Sequence, residues 1–139
     1  MTIEAKRYGA DSTPEEVRAI RDRVRLYQPG IILYEETPLQ TEFSLGIIFD
    51  RIEELLRENP GASLLVDLTI AERPNAQIRD YLRTRFARLG DQLQRIAVFT
   101  GKNFLLNTAA KFVLSGMAKS LSVHSTQAEA EEVLRHAAK

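Results

Sequence analysis

The sequence predicts an α/β domain built on a mostly parallel sheet of four to five strands with helices packed on it, and three observations carry that reading. The run Ser63-Leu64-Leu65-Val66-Asp67-Leu68-Thr69 is a buried-strand pattern ending in an acid and a hydroxyl. About thirty residues later the pattern returns as Arg95-Ile96-Ala97-Val98-Phe99-Thr100. The segment between them has helical periodicity, so strand, helix and strand form a parallel βαβ unit. In such sheets partners and ligands meet the loops at the carboxyl ends of the strands. The loops that matter are therefore 69–75 and 101–103.

Taken in order, residues Ile3 to Tyr8 alternate weakly and predict an edge strand. Thr13-Pro14-Glu15-Glu16 supplies an N-cap, a proline at the first helical position and a glutamate at the third. The helix predicted from Pro14 to Tyr27 has Val17, Ile20, Val24 and Tyr27 on its apolar side, opposite Arg18, Arg21, Asp22 and Arg25. Pro29-Gly30 stops it. Ile31-Ile32-Leu33-Tyr34 reads as a short buried strand, running into Glu35-Glu36 and a turn at Thr37-Pro38. A second helix, from Phe43 to Asn59, turns Leu45, Ile48, Ile52, Leu55 and Leu56 to one side and is ended by Asn59-Pro60-Gly61.

A third helix, Ala76 to Leu89, points Ile78, Leu82, Phe86 and Leu89 inward, with Gly90 as its stop. After the 95–100 strand come Gly101-Lys102-Asn103 and a fourth helix reaching Lys119. Leu121 to His124 form a last strand. Thr126 and Glu129 make a capping box for a closing helix whose inner face is Ala130, Val133, Leu134 and Ala137. No repeat, linker or low-complexity tract interrupts the chain, so residues 1–139 read as one domain.

With 139 residues the chain is long enough to bury about 70% of its extended surface and so to hold a core. Basic and acidic residues both number 19, which leaves no global field to steer it onto nucleic acid or an anionic membrane. Cysteine is absent, which excludes disulfides, thiolate metal sites and cysteine nucleophiles. The first residues lack the apolar region of a signal peptide, and no apolar run approaches the ~20 residues that span a bilayer. The expectation is a soluble, cytoplasmic protein with no integral membrane segment.

The order strand, Thr37-Pro38-Leu39 turn, helix, strand ending Val66-Asp67-Leu68-Thr69, helix, strand, helix, strand, helix resembles the STAS superfamily, the sulfate-transporter and anti-sigma-factor-antagonist domains. The run from Arg95 to Lys102, the apolar helix after it, Leu121-Ser122-Val123 and the closing helix after Thr126 are most similar to the SpoIIAA-like branch, small bacterial stand-alone proteins that also resemble lipid-carrying CRAL-TRIO domains. The likeness covers residues 31–138, with 1–30 as an N-terminal strand and helix extension; the Pro14–Tyr27 helix stands where the family has a β-hairpin. The resemblance implies a signalling module that docks a protein partner. In the phospho-switching members, an Asp-Ser-Ser/Thr-Gly motif opens the helix after the Asp-Leu-Ser/Thr strand, and a partner kinase phosphorylates its hydroxyl. Here that loop reads Glu72-Arg73-Pro74-Asn75, with Glu72 standing for the acid, Asn75 for the glycine and no hydroxyl between. The expected module therefore lacks the usual phosphoacceptor and either works constitutively or responds through binding alone.

The candidate partner-binding loop comprises Asp67, Thr69, Glu72, Arg73 and Asn75. Thr69 is the nearest hydroxyl to the absent phosphoacceptor, although a β-branched residue that ends a strand needs no further role. Asp67 and Glu72 together offer too few oxygen ligands for a cation site. Lys102 and Asn103 sit between strand and helix where they can contact an anion, but the flanking residues of a nucleotide-binding loop are missing. His124 and His136 have no nucleophile or orienting acid in the pattern, and Ser115 and Lys119 miss the Ser-x-x-Lys spacing by one residue. Arg79, Arg83, Arg85 and Arg88 do not form one stripe, Arg88 lying about 180° from Arg79, and read as a solvated helix face. The fourth helix carries more apolar residues than one buried face needs. Either the N-terminal helix covers this surplus, or Phe104, Leu105, Phe112 and Met117 offer a groove for an apolar ligand, such as a fatty acid or lipid, or a homodimer surface. No catalytic residues, metal site or cofactor are expected, and a non-enzymatic interaction module is the leading reading.

Overall fold

The computed structural model describes residues 5–102 and 121–137. Its elements are α1 (Pro14–Arg21), β1 (Val24–Gln28), β2 (Ile31–Glu35), α2 (Glu42–Glu58), β3 (Ser63–Asp67), α3 (Ala76–Leu89) with a 3-10 turn over Gly90–Gln92, β4 (Ile96–Phe99), β5 (Leu121–His124) and α4 (Gln127–Ala137). The five strands form one mixed sheet in the order β1-β2-β3-β4-β5. β1 runs antiparallel to β2, and the other three pairings are parallel. This is the α/β architecture the sequence predicts. Asp67 stands opposite Phe99 in the β3–β4 ladder, so the loops leaving those strands open on the same edge of the sheet.

Strand alternation divides the core in two. Ile32, Tyr34, Leu64, Val66, Ile96 and Val98 face α2 and α3, with Phe49 of α2 at the junction. The Phe49 ring meets Tyr34 edge-on at 5.9 Å and Phe86 at 4.9 Å. On the opposite face Ile31, Leu33, Leu65, Ala97 and Phe99 pack with Ala130 and Leu134 of α4. Each fully buried Leu, Ile or Phe contributes about 1.5–3 kcal/mol.

The helix ends follow their capping chemistry. Thr13 Oγ1 accepts from the Glu16 N–H at 3.1 Å while Glu16 Oε1 accepts from the Thr13 N–H at 2.9 Å. At α4 the Thr126 hydroxyl bridges the N–H and carboxylate of Glu129.

Two N-terminal expectations are corrected. The helix predicted over Pro14–Tyr27 ends at Arg21, and Val24–Gln28 form β1 of a hairpin. Val24 and Tyr27 fit a helical spacing, but Val24 is buried because it lies opposite Tyr34 in the sheet. Pro29-Gly30 makes the hairpin turn instead of a helix stop, with Gly30 at φ +79°, a backbone state open to glycine. Pairing with β2 overrides the local helical pattern. The predicted strand over Ile3–Tyr8 is also absent among its described residues, Ala5–Tyr8, which are irregular chain with Tyr8 buried in the core. The predicted fourth helix, with Asn103, Phe104, Leu105, Phe112 and Met117, lies outside the described residues. No helix among the described residues is long and apolar enough to cross a membrane.

Candidate functional site

At the carboxyl edge of the sheet, Glu35, Asp67, Phe99 and His124 stand side by side in register on β2, β3, β4 and β5. The loop after β3 dominates this rim and is tied down along its length. Asp67 Oδ1 accepts from the Thr69 N–H at 2.9 Å and from its hydroxyl at 2.7 Å. The Ala71 N–H donates to the Leu68 carbonyl, and the Glu72 N–H donates to the Pro38 carbonyl at 2.8 Å. At the far end Asn75 Oδ1 caps α3, accepting from the Ile78 N–H at 2.9 Å.

The Glu72 carboxylate is the centre of this bracing. Arg7 donates to both of its oxygens, at 2.6 and 2.9 Å, a two-pronged charge-assisted contact. The Gln40 N–H donates to it at 2.8 Å, and Arg7 also reaches the Gln40 carbonyl at 3.1 Å. The Arg7 hydrogen bond, helped by the Gln40 N–H and opposed by partial burial, holds the Glu72 carboxyl below the usual range. Glu72 thus joins three segments: the irregular N-terminal strap that carries Arg7, the 37–40 turn and the loop itself.

What remains outward is a short row. Thr69 is exposed, Ile70 is 54% exposed, and Arg73 is exposed with no ion-pair partner among the described residues. Gly101, at φ +67°, brings the next loop against this row; a Cβ placed on it would sit 3.6 Å from Thr69 Cγ2. Lys102 follows, exposed. Of the residues singled out from sequence, Asp67, Thr69, Glu72, Arg73, Asn75 and Lys102 therefore share one rim. Within that group Asp67, Glu72 and Asn75 spend their side chains on holding the loop, which leaves Thr69, Arg73 and Lys102 to face outward.

His124 ends β5 with Nε2 enclosed and unpartnered among the described residues. His136 lies on α4, its Nε2 2.8 Å from Glu132. The described residues hold no group of three or more His, Asp or Glu arranged for a metal ion.

Arg85 corrects the reading of α3 as a solvated arginine face. It is 6% exposed, donating to Asp50 at 2.8 Å, Glu53 at 3.0 Å and the Tyr81 hydroxyl at 3.1 Å, with its guanidinium over the Phe49 ring. Sequence reasoning also passed over Arg7, Gln40 and the buried Glu36. Arg7 and Glu72 are 65 positions apart, and no local pattern links them. Glu36 carried a signal: an acid continuing the alternation of a buried strand, two residues after Tyr34. Compared with protein-family models and with curated proteins, the chain finds no match.

Proposed function

We propose that this chain is a non-enzymatic docking module of the STAS, SpoIIAA-like type, which binds a regulatory protein partner through Thr69, Ile70 and Arg73. The observation that carries the reading is Ile70, a large apolar side chain 54% exposed at the tip of a loop fixed by its neighbours. A braced loop loses little conformational freedom on binding, so the contact energy of its exposed residues is retained. The β1–β2 hairpin, in the place where STAS domains have one, supports the family reading. With no hydroxyl in Glu72-Arg73-Pro74-Asn75, docking is governed by binding rather than by phosphorylation there.

Affinity capture from native extract with quantitative mass spectrometry, followed by binding to the purified candidate, tests this. Ile70→Asp is expected to weaken the partner by roughly tenfold to a hundredfold, from about 1.5–3 kcal/mol of lost burial. Arg73→Glu is expected to slow association, and the distant Arg57→Glu to change nothing. Equal binding by wild type, Ile70→Asp and Arg73→Glu overturns the docking loop. Carriage of an apolar ligand, or self-association, through residues 103–119 is the competing reading. A co-purifying apolar molecule or a dimer in native mass spectrometry would favour it.

A further inference from the structure

The last residue before the 37–40 turn is a buried acid with no cation on its carboxyl group among the described residues. Glu36 is 1% exposed, and its N–H adds one rung to the sheet by donating to the Asp67 carbonyl at 3.0 Å. The Tyr34 hydroxyl donates to Oε2, and the Thr37 N–H donates to Oε1 at 2.8 Å. The Thr37 hydroxyl lies 3.2 Å from Oε1 and 2.8 Å from the Leu39 carbonyl, which closes the turn on the carboxyl.

The surrounding charges do not neutralise it. Arg23, just before β1, gives its N–H groups to the backbone carbonyls of Glu35 and Glu36, at 2.8 and 3.1 Å. Asp67 on β3 has its carboxylate committed to Thr69. The start of α2 presents Thr41 and Ser44, which cap each other, and Glu42 accepts from Gln77. Beyond the turn, the Arg7–Glu72 pair is closed on itself. Burial pushes the Glu36 carboxyl up, against the downward pull of Tyr34, Thr37 and Arg23. Burial and the neighbouring Glu36 also push the Tyr34 hydroxyl well up, so it remains a donor.

The turn is gripped at both ends. Glu36 holds Thr37 from inside, while Glu72 holds Gln40 from outside and gives its own N–H to Pro38. We propose that Glu36 is a proton-operated latch on the rim: with its carboxyl neutral the Thr37–Gln40 turn stays shut against the 69–75 loop, and when it ionises and seeks water both segments are released. The latch rests on the docking reading only for its biological consequence.

The direction follows from linkage. A carboxyl held neutral in the closed state stabilises that state fully below the ordinary glutamate value of about 4.3 and loses the contribution as pH rises through its raised value. Glu72, held low by Arg7, works the other way, and its contribution fades as pH falls below the ordinary value. The rim is therefore tightest in mildly acidic solution and loosens on both sides.

Amide hydrogen exchange of the free chain between pH 4 and 9, normalised to intrinsic rates, tests the latch. The Thr37, Gln40 and Glu72 amides are expected to lose protection by up to about tenfold per pH unit above the ordinary glutamate value, until the raised value is passed. The Leu64 amide, bonded to Arg95 across the β3–β4 ladder, is expected to stay more protected than these three at every pH, which separates local opening from global unfolding. Glu36→Gln, neutral at every pH, should abolish the slope. If that variant does not fold, Tyr34→Phe decides: losing the donor should extend the loss of protection to higher pH. A flat wild-type profile, an unchanged slope in Glu36→Gln, or an unshifted Tyr34→Phe profile overturns the proposal. No partner enters the experiment, so its failure leaves the docking reading standing, and failure of the Ile70→Asp binding test leaves the latch standing.

Discussion

Arg85 and Glu36 both place an ionisable side chain in the same core, one on the α2–α3 side and one at the end of β2, and Phe49 lies between their surroundings. Arg85 keeps its charge by recruiting two carboxylates, Asp50 and Glu53, and by lying over an aromatic face. Glu36 has hydroxyl and amide donors but, among the described residues, no cation on its oxygens, and burial favours its uncharged form. A guanidinium cannot shed its proton in any accessible pH range, so the chain must supply counterions. A carboxyl can take up a proton, so the chain can leave it alone. One site is therefore insensitive to pH, and the other is sensitive by construction.

The difference can be broken or sharpened by substitution. The largest effect is expected from Phe49→Ala, which removes the ring touching Tyr34, Phe86 and Arg85 at once; about 3–5 kcal/mol should be lost in denaturant unfolding. Arg85→Ala comes next at about 2–4 kcal/mol, through lost packing and two carboxylates left facing each other, with little change in its cost between pH 6 and 9. Asp50→Asn should cost within about 1 kcal/mol, because Asp50 is 71% exposed and Glu53 still holds the guanidinium. Glu36→Gln should match the parent chain at and below about pH 4, under the ordinary glutamate value, and become the more stable of the two as pH rises. The gap should approach about 1.4 kcal/mol for each unit by which the folded carboxyl lies above its ordinary value. The smallest effect belongs to Glu72→Gln. Global melting should be unchanged, with faster exchange confined to Gln40 and its surroundings.

The regular half of this architecture was readable because its signals are local. The apolar blocks at 31–34, 63–67, 96–99 and 121–124 became β2 to β5, and the periodicity of Ile78, Leu82, Phe86 and Leu89 placed α3 with its inner face correct. Failures occurred where a residue's role is set by something distant in the chain. Val24 fits a helix until Tyr34 is placed opposite it. Arg85 borders the apolar stripe of α3 and reads as solvated, because the acids that make its burial tolerable sit on another helix. The rim showed the same division. Thr69, Arg73 and Lys102 could be located from the strand ends, whereas the strap that braces them, through Arg7, has no signature in the residues around it. In the sequence Ile70 is only the start of a loop; its exposure follows from bonds made by its neighbours.

The sheet's strand order repeats the order of the chain. Each strand lies beside its immediate predecessor, so no earlier pair must part to admit a later strand. Only the β1–β2 hairpin closes locally; Ile31 with Ser63, Leu64 with Ile96 and Ile96 with Leu121 each pair across a long crossover, so the hairpin is expected to form before the parallel rungs.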